Sequence, residues 1–286
     1  ARSGSSARLC RRPMVMDRVL CRHVFFISLS GFLLGYDLCF IGSILGPVQR
    51  SLELCFPCPG GTAVASLATC NCAEKQFAVS SVSIGAVVGG LFGGWLGDAA
   101  GRRKTLLVTD LLFGIGAVAM AIAGPRSAWL LYTGRALSGV ALGAGGTASS
   151  AYLAEISPAN IRGAVVEANE LMVCVGCLSA YVAAASFGDA LWRCTVGMAL
   201  VPVALQVVGV AALLRESPRW LASQGHHRLA QEAAADLSLE GVFDRHGAVD
   251  EGCITAAEAG NGHMPANGAH RERPSAAAAL WSHRKA

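Results

Sequence analysis

The stretch 77–104, FAVSSVSIGAVVGGLFGGWLGDAAGRRK, joins an apolar run of 21 residues to one acid and then to a basic triplet. At about 1.5 Å per helical residue, such a run covers about 30 Å, the thickness of a bilayer's hydrocarbon core. Gly85, Gly89, Gly93 and Gly97 recur every four residues within it, with Gly90 and Gly94 beside them. That spacing lines glycines along one helix face, where a neighbouring backbone can approach closely. Charge appears only where the run ends, at Asp98, Arg102, Arg103 and Lys104. The segment reads as a membrane helix that terminates at a basic surface.

The rest of the chain extends this reading. Five further apolar runs, 24–48, 105–123, 128–152, 164–187 and 194–214, are each long enough to cross the hydrocarbon core. Of the 286 residues, 53% are hydrophobic and only 15% charged, and mean hydropathy is +0.48. A soluble domain carries about 25% charged residues. Lipid cannot satisfy exposed backbone groups, so six hydrogen-bonded helices in a bundle are the natural solution. The fold class expected is an all-α membrane protein with six transmembrane helices. A net charge of +4, spread along the chain, gives no reason to expect nucleic acid.

Basic residues set the orientation. Arg18 and Arg22 precede the first span, with Arg2, Arg8, Arg11 and Arg12 further upstream. Arg102, Arg103 and Lys104 follow the second, Arg162 follows the fourth, and Arg215 and Arg219 follow the sixth. By the positive-inside rule, this face and both ends of the chain are expected in the cytosol. The domain organisation expected is a basic cytosolic segment 1–23, a bundle 24–214, a cytosolic segment 215–239 with one amphipathic helix from Ala222 to Leu239, and a disordered tail 240–286. The exterior connection 49–76 carries Cys55, Cys58, Cys70 and Cys72, either free or forming one or two disulfides. Eleven cysteines, mostly in apolar runs, do not have zinc-fold spacing. All seven histidines lie outside the crossings, which speaks against a membrane enzyme.

Charges within the spans carry the functional reading, because each costs about 2.5–3.5 kcal/mol at a helix centre on insertion scales. Asp37 is about 20 Å into the first span and Glu170 about 9 Å into the fifth, and a polar cavity explains both. Asp110 lies nearer the end of its span and is expected to snorkel to the interface. A desolvated Asp37 is a proton-coupling candidate unless a cation holds it ionised, and Arg135 of the fourth span is the cation available. At the basic face Asp98, Arg102, Arg103, Glu155, Arg162, Glu216 and Arg219 supply opposite charges for a network that closes a gate.

Gly94-Trp95-Leu96-Gly97-Asp98-Ala99-Ala100-Gly101-Arg102-Arg103-Lys104 resembles the G-x-x-x-D-x-x-G-R-R-[KR] signature of major facilitator transporters. Gly35-Tyr36-Asp37, Gly134-Arg135, Tyr152-Leu153-Ala154-Glu155, Pro158-Ala159-Asn160-Ile161-Arg162-Gly163 and Glu216-Ser217-Pro218-Arg219-Trp220-Leu221 resemble the sugar porter branch, in the family's order and at its helix ends. Asn169-Glu170-Leu171-Met172 and Ser179-Ala180-Tyr181 look closest to the class III glucose transporters of solute carrier family 2, of the member-twelve type.

The resemblance implies the N-terminal half of a major facilitator fold, a 3+3 inverted repeat. Its second half would supply most sugar contacts. It implies transport of a hexose or polyol by alternating access, with the lipid bilayer and the sugar as partners, H+ as a coupling ion in the symporter alternative, and neither cofactor nor metal. A non-transporting membrane regulator is the alternative of another class. The family's sugar-binding glutamine falls on Glu170, which keeps an acceptor but adds charge. Val173 and Cys177 would line the same cavity as Glu170 and Asp37. The family's aromatic three residues before Asp37 is Leu34 here. Plasma membrane is the expected location, and the chain is expected to be a fragment.

Overall fold

A computed structural model of the chain describes residues 18–52, 73–124, 127–158 and 161–237. The upstream arginines, the four loop cysteines and the tail from 240 lie outside these residues. All regular structure among the described residues is helical: α1 Arg18–Ser51, α2 Ala73–Ala100, α3 Arg102–Ala121, α4 Ala128–Ile156, α5 Arg162–Phe187, a 3-10 turn Asp189–Leu191, α6 Trp192–Met198, α7 Leu200–Leu213, α8 Pro218–Ser223 and α9 His227–Asp236.

Among the described residues, five segments are long and apolar enough to cross a membrane: α1, α2, α3, α5, and Asp189–Leu213, which includes α6 and α7. α4 is the sixth long helix, with 29 residues, and it falls short on apolarity because it carries Arg135, Ser138, Thr147, Ser149 and Ser150 among its glycines. Its central place explains the composition, since it packs on α1, α2, α3 and α5 and presents little of itself to lipid. The sixth span breaks at Ala199 because Pro202, lacking an amide hydrogen, fits the first turn of a new helix and not the interior of a longer one. α1 begins at Arg18, six residues ahead of the apolar run.

Helix pairing follows an internal symmetry. α1 lies along α5 and α2 along α4, while α3 packs on α4 as α7 packs on α1. Exchanging the first helix with the fourth, the second with the fifth and the third with the sixth maps each contact onto its counterpart. That is the pattern of an inverted repeat of three helices.

Glycines make the two long pairings. A β-carbon on Gly89 would overlap the carbonyl of Val140, one on Gly85 that of Ala136, and one on Gly93 the backbone of Ala144. From the other side, Gly139 meets the Val82 carbonyl and Gly143 that of Ala86. The α1–α5 contact repeats this at Gly31, Gly35 and Gly176, against Asn169, Val173 and Phe32. The four-residue glycine period of α2 is therefore its buried stripe, whereas Ile84, Leu91, Phe92 and Trp95 point outward. Small residues inside and large apolar ones outside reverse the pattern of a water-soluble helix, because lipid accepts the bulk and van der Waals packing needs the closeness.

The helix expected over 222–239 is corrected at its start: α9 begins at His227, and residues 222 and 223 belong to α8. Gly225 adopts φ 79°, and the amides of Gly225 and His226 close back onto the carbonyls of Ala222 and Leu221. This is a Schellman end, which a left-handed glycine permits and which stops α8 before α9 can begin. Buried Leu221, Ala230 and Ala233 then pack the two short helices together.

The glycine stripe generates a paired test. Gly89→Ala should destabilise the purified chain by about 1–3 kcal/mol through overpacking. Gly90→Ala, whose β-carbon meets nothing within 4 Å, should leave the thermal midpoint in detergent unchanged. Equal midpoints for the two variants would contradict the α2–α4 contact.

Candidate functional site

In the bundle interior the deepest charge on α1 meets its opposite on α4. Asp37 and Arg135 are fully buried, with Arg135 Nη1 2.8 Å from Asp37 Oδ2. Phe40, one turn along α1, offers its ring to the guanidinium at 5.4 Å, a favourable placement over the π face. Phe32, Tyr36 and Phe40 stack along α1, and the Tyr36 hydroxyl donates to the carbonyl of Thr195 at 2.6 Å. Asp37 Oδ1 and Arg135 Nε keep no partner among the described residues. The pair is thus neutral overall yet retains a free acceptor and a free donor. Burying either charge alone would be prohibitive; burying both in contact is sustainable. Asp37 is accordingly not the lone carboxylate that α1 by itself suggests.

α5 carries the remaining expected cavity residues. Its buried residues Val165, Asn169, Gly176, Ala180 and Ala183 mark the face toward α1. Glu170, Val173 and Cys177 flank that face, with Glu170 exposed and the other two half-buried. Glu170 does not approach the Asp37–Arg135 pair by any ion pair or hydrogen bond among the described residues. The Cys177 sulfur is bonded to Cys39 of α1, across a Cα–Cα separation of 5.2 Å, so the residue ties α5 to α1 and carries no free thiol. The expectation for Asp110 is corrected. This residue is buried to 4% exposure and does not snorkel, because the helix face it occupies is turned toward α1 and α4.

At the end of the bundle where α1 begins, the basic triplet is dispersed to different partners. Arg102 bridges two helices, donating to Asp98 at 2.7 Å and to Glu155 at 2.9 Å and 3.1 Å. Arg103 crosses to the end of α7, where its side chain donates to the carbonyls of Val210 and Ala211 and its amide donates to Glu216 at 3.1 Å. Cationic groups belong at a helix C-terminus, where unpaired carbonyls concentrate negative charge. Gly101, at φ 100°, makes this possible; a β-carbon there would collide with the Glu216 carboxylate.

The Ser217-Pro218-Arg219-Trp220 segment has its own logic. Ser217 caps α8 by accepting from the Trp220 amide, and Pro218 occupies the first turn. The Ser217 hydroxyl also donates to Glu155, and the Trp220 indole donates to the Asp98 carbonyl at 2.8 Å. Arg162 and Arg219 form no ion pair among the described residues. Burial, and then the neighbouring Arg162, lower the pKa of Arg219 from the usual guanidinium range. Of the seven residues expected in the network, Asp98, Arg102 and Glu155 are joined by ion pairs, and Glu216 is joined to Arg103 through the latter's backbone amide. Arg162 and Arg219 are not joined to them.

Comparison with known proteins agrees with this architecture. Residues 23–265 match the family described as "Sugar (and other) transporter", and the chain belongs to that family. It is therefore a multi-pass integral membrane chain of the major facilitator type. Inositol transporter 4 of Arabidopsis thaliana is 41% identical over 145 residues, covering 50% of this chain and 24% of that protein. The D-xylose transporter of Levilactobacillus brevis is 34% identical over 204 residues, covering 71% and 40%. In structure, the proton:xylose symporter XylE superposes with a TM-score of 0.66 at 24% identity, covering 84% of this chain and 51% of that one. The chain thus spans less than half the length of these two curated relatives.

Asp37→Ala or Arg135→Ala alone should cost about 3–5 kcal/mol, since each leaves a buried charge unpaired. The double variant Asp37→Leu with Arg135→Met should cost clearly less than the sum of the two single losses. Unfolding midpoints of all four proteins in the same detergent measure this coupling, and additive losses would count against the pair.

Proposed function

We propose that the chain is the amino-terminal half of a transporter that moves a hexose or a related polyol across the membrane by alternating access. A second six-helix half of the whole protein would complete the substrate site at the interface of the two. The observation that carries this reading is membership of the sugar transporter family across residues 23–265. The finer kinship with class III glucose transporters of the member-twelve type rests on Asn169-Glu170-Leu171-Met172 and Ser179-Ala180-Tyr181. Relatives described as xylose and inositol transporters extend the substrates worth testing to pentoses and cyclitols.

In this reading Glu170 and Val173 line the substrate path on α5, and Asp37 contributes an acceptor from α1. Cys177 supports that wall through Cys39. The charge cluster at the basic face acts as a latch. Arg102, Asp98 and Glu155 hold α2, α3 and α4 together, while Arg103 and Glu216 hold the end of α7. Strengthening or weakening such contacts in only one state shifts the balance of inward and outward states. The basic face is cytosolic, and the plasma membrane is the location that suits a hexose transporter of this kind.

Proton-coupled symport is the second reading: a relative described as an arabinose-proton symporter, 33% identical over 159 residues, favours it, whereas Arg135 held on Asp37 opposes it unless a proton breaks the pair. A proton on Asp37 would cancel its charge and free Arg135 to turn elsewhere, which links protonation to helix packing. In the facilitated reading the pair stays ionised and is structural.

Uptake of radiolabelled glucose, xylose and inositol into vesicles containing the whole protein tests both. Arg102→Ala should lower uptake at least about fivefold at unchanged surface level, the scale of a modest coupling energy. If uptake depends on pH in the wild type, Asp37→Asn combined with Arg135→Gln should remove that dependence while sugar exchange persists. A wild type indifferent to pH would leave facilitated diffusion, and absence of uptake of all three sugars would overturn the proposal.

A further inference from the structure

A second buried acid lies apart from the Asp37–Arg135 pair. A small cavity of about 10 Å³ between α1, α3 and α4 is lined by polar Ser30, Thr109 and Asp110 and by apolar residues, among them Leu33, Phe113 and Leu142, room for one occupant the size of a water molecule. Its polar residue on α1, Ser30, is seven residues from Asp37, about 10 Å nearer the basic face. Asp110 is 4% exposed, and its Oδ2 has no hydrogen-bond donor among the described residues.

The polar side chains of the lining, Ser30, Thr109 and Asp110, all offer oxygens. Thr109 spends its hydroxyl hydrogen on the Leu106 carbonyl at 2.9 Å, which leaves its lone pairs free. Ser30 Oγ accepts from the Gln206 amide of α7 at 2.6 Å, and Gln206 Oε1 has no partner. A β-carbon on Gly145 would stand 3.3 Å from Thr109 Oγ1, so glycine keeps that hydroxyl open.

No charged group of the packed helices answers Asp110. On α1, His23 is held by Val19 and Arg215, and Asp37 by Arg135. On α3, Arg102 is committed to Asp98 and Glu155 and Arg103 to the end of α7, while Lys104 is exposed about 9 Å back along the axis. On α4, Arg135 and Glu155 are already paired. α7 has no charged residue. A buried carboxylate without a counter-charge is expensive, and a cation bound by Asp110 and the two hydroxyls removes the cost.

We propose that Asp110, with Ser30 and Thr109, forms a site for one small monovalent cation, sodium or a proton, separate from the Asp37–Arg135 pair. Asp110 supplies the charge and the two hydroxyls supply neutral oxygens, with Gln206 fixing Ser30.

The thermal midpoint of the full 286-residue chain in detergent tests this, using sodium chloride against N-methyl-D-glucamine chloride at constant ionic strength. A sodium site raises the midpoint saturably with sodium, and Asp110→Asn abolishes the rise. Thr109→Val and Ser30→Ala, milder changes that keep the test usable if Asp110→Asn fails to fold, weaken half-saturation about tenfold. A proton site shows no sodium effect. Instead the midpoint falls as pH rises through the neutral range, and Asp110→Asn flattens that slope while Asp37→Asn does not. Wild type and Asp110→Asn responding alike to both sodium and pH would overturn the proposal. So would sodium half-saturation unmoved in Thr109→Val and Ser30→Ala.

Discussion

Backbone meets backbone along two seams of this molecule, α2 on α4 and α1 on α5, and the remaining structure is arranged around those contacts. In lipid no hydrophobic effect drives helices together, so association depends on close packing and on polar groups that find partners. Glycine allows the closeness. Once Gly89 lies against Val140 and Gly35 against Val173, α1 and α4 come near enough for Asp37 and Arg135 to meet. The ion pair depends on the glycine seams, because a wider separation would strand two charges in a medium that cannot solvate them.

The two ends of this bundle solve different problems. In the interior, charge is rationed: one pair, one unanswered acid, and a few hydroxyls and amides bound to carbonyls or to each other. At the basic face charge is abundant, and its use is geometric. Arg102 selects two carboxylates from different helices, Arg103 selects carbonyls at the end of α7, and Gly101 adopts the one backbone conformation that brings Glu216 against the turn. Exposed pairs are worth about 0–1 kcal/mol each. The half-buried Arg102–Glu155 contact is therefore the one that ties α3 to α4 with most effect, and Asp98 is the more expendable partner.

Much of this could be read from residue order. Apolar runs of about 20 residues, glycines at a spacing of four, and arginines gathered on one face of the connections are each local properties, and each has one reasonable physical outcome in a bilayer. The helical fold, the buried stripe of α2 and the grouping of Asp98, Arg102, Arg103, Glu155 and Glu216 follow from them. Where a local pattern had two outcomes, the chain chose by packing. Asp110 is close enough to a helix end to snorkel, yet its helix face is enclosed. A run that seemed fit for one amphipathic helix over 222–239 is cut by a left-handed glycine.

What the sequence determined by itself, then, is the helical membrane fold, its family and the presence of charges that need company. Beyond Arg135 as the cation available to Asp37 and the grouping at the basic face, which groups keep company was decided by tertiary structure. Asp37 and Arg135 are 98 residues apart, Cys39 and Cys177 are 138 apart, and Ser30 and Gln206 are 176 apart. No periodicity encodes such pairings, because helical spacing fixes a side chain's direction around its own axis and not the rotation or height of the helix it will face. Those two quantities are set when the glycine seams close, and only then do an acid, a cysteine or an amide acquire their partners.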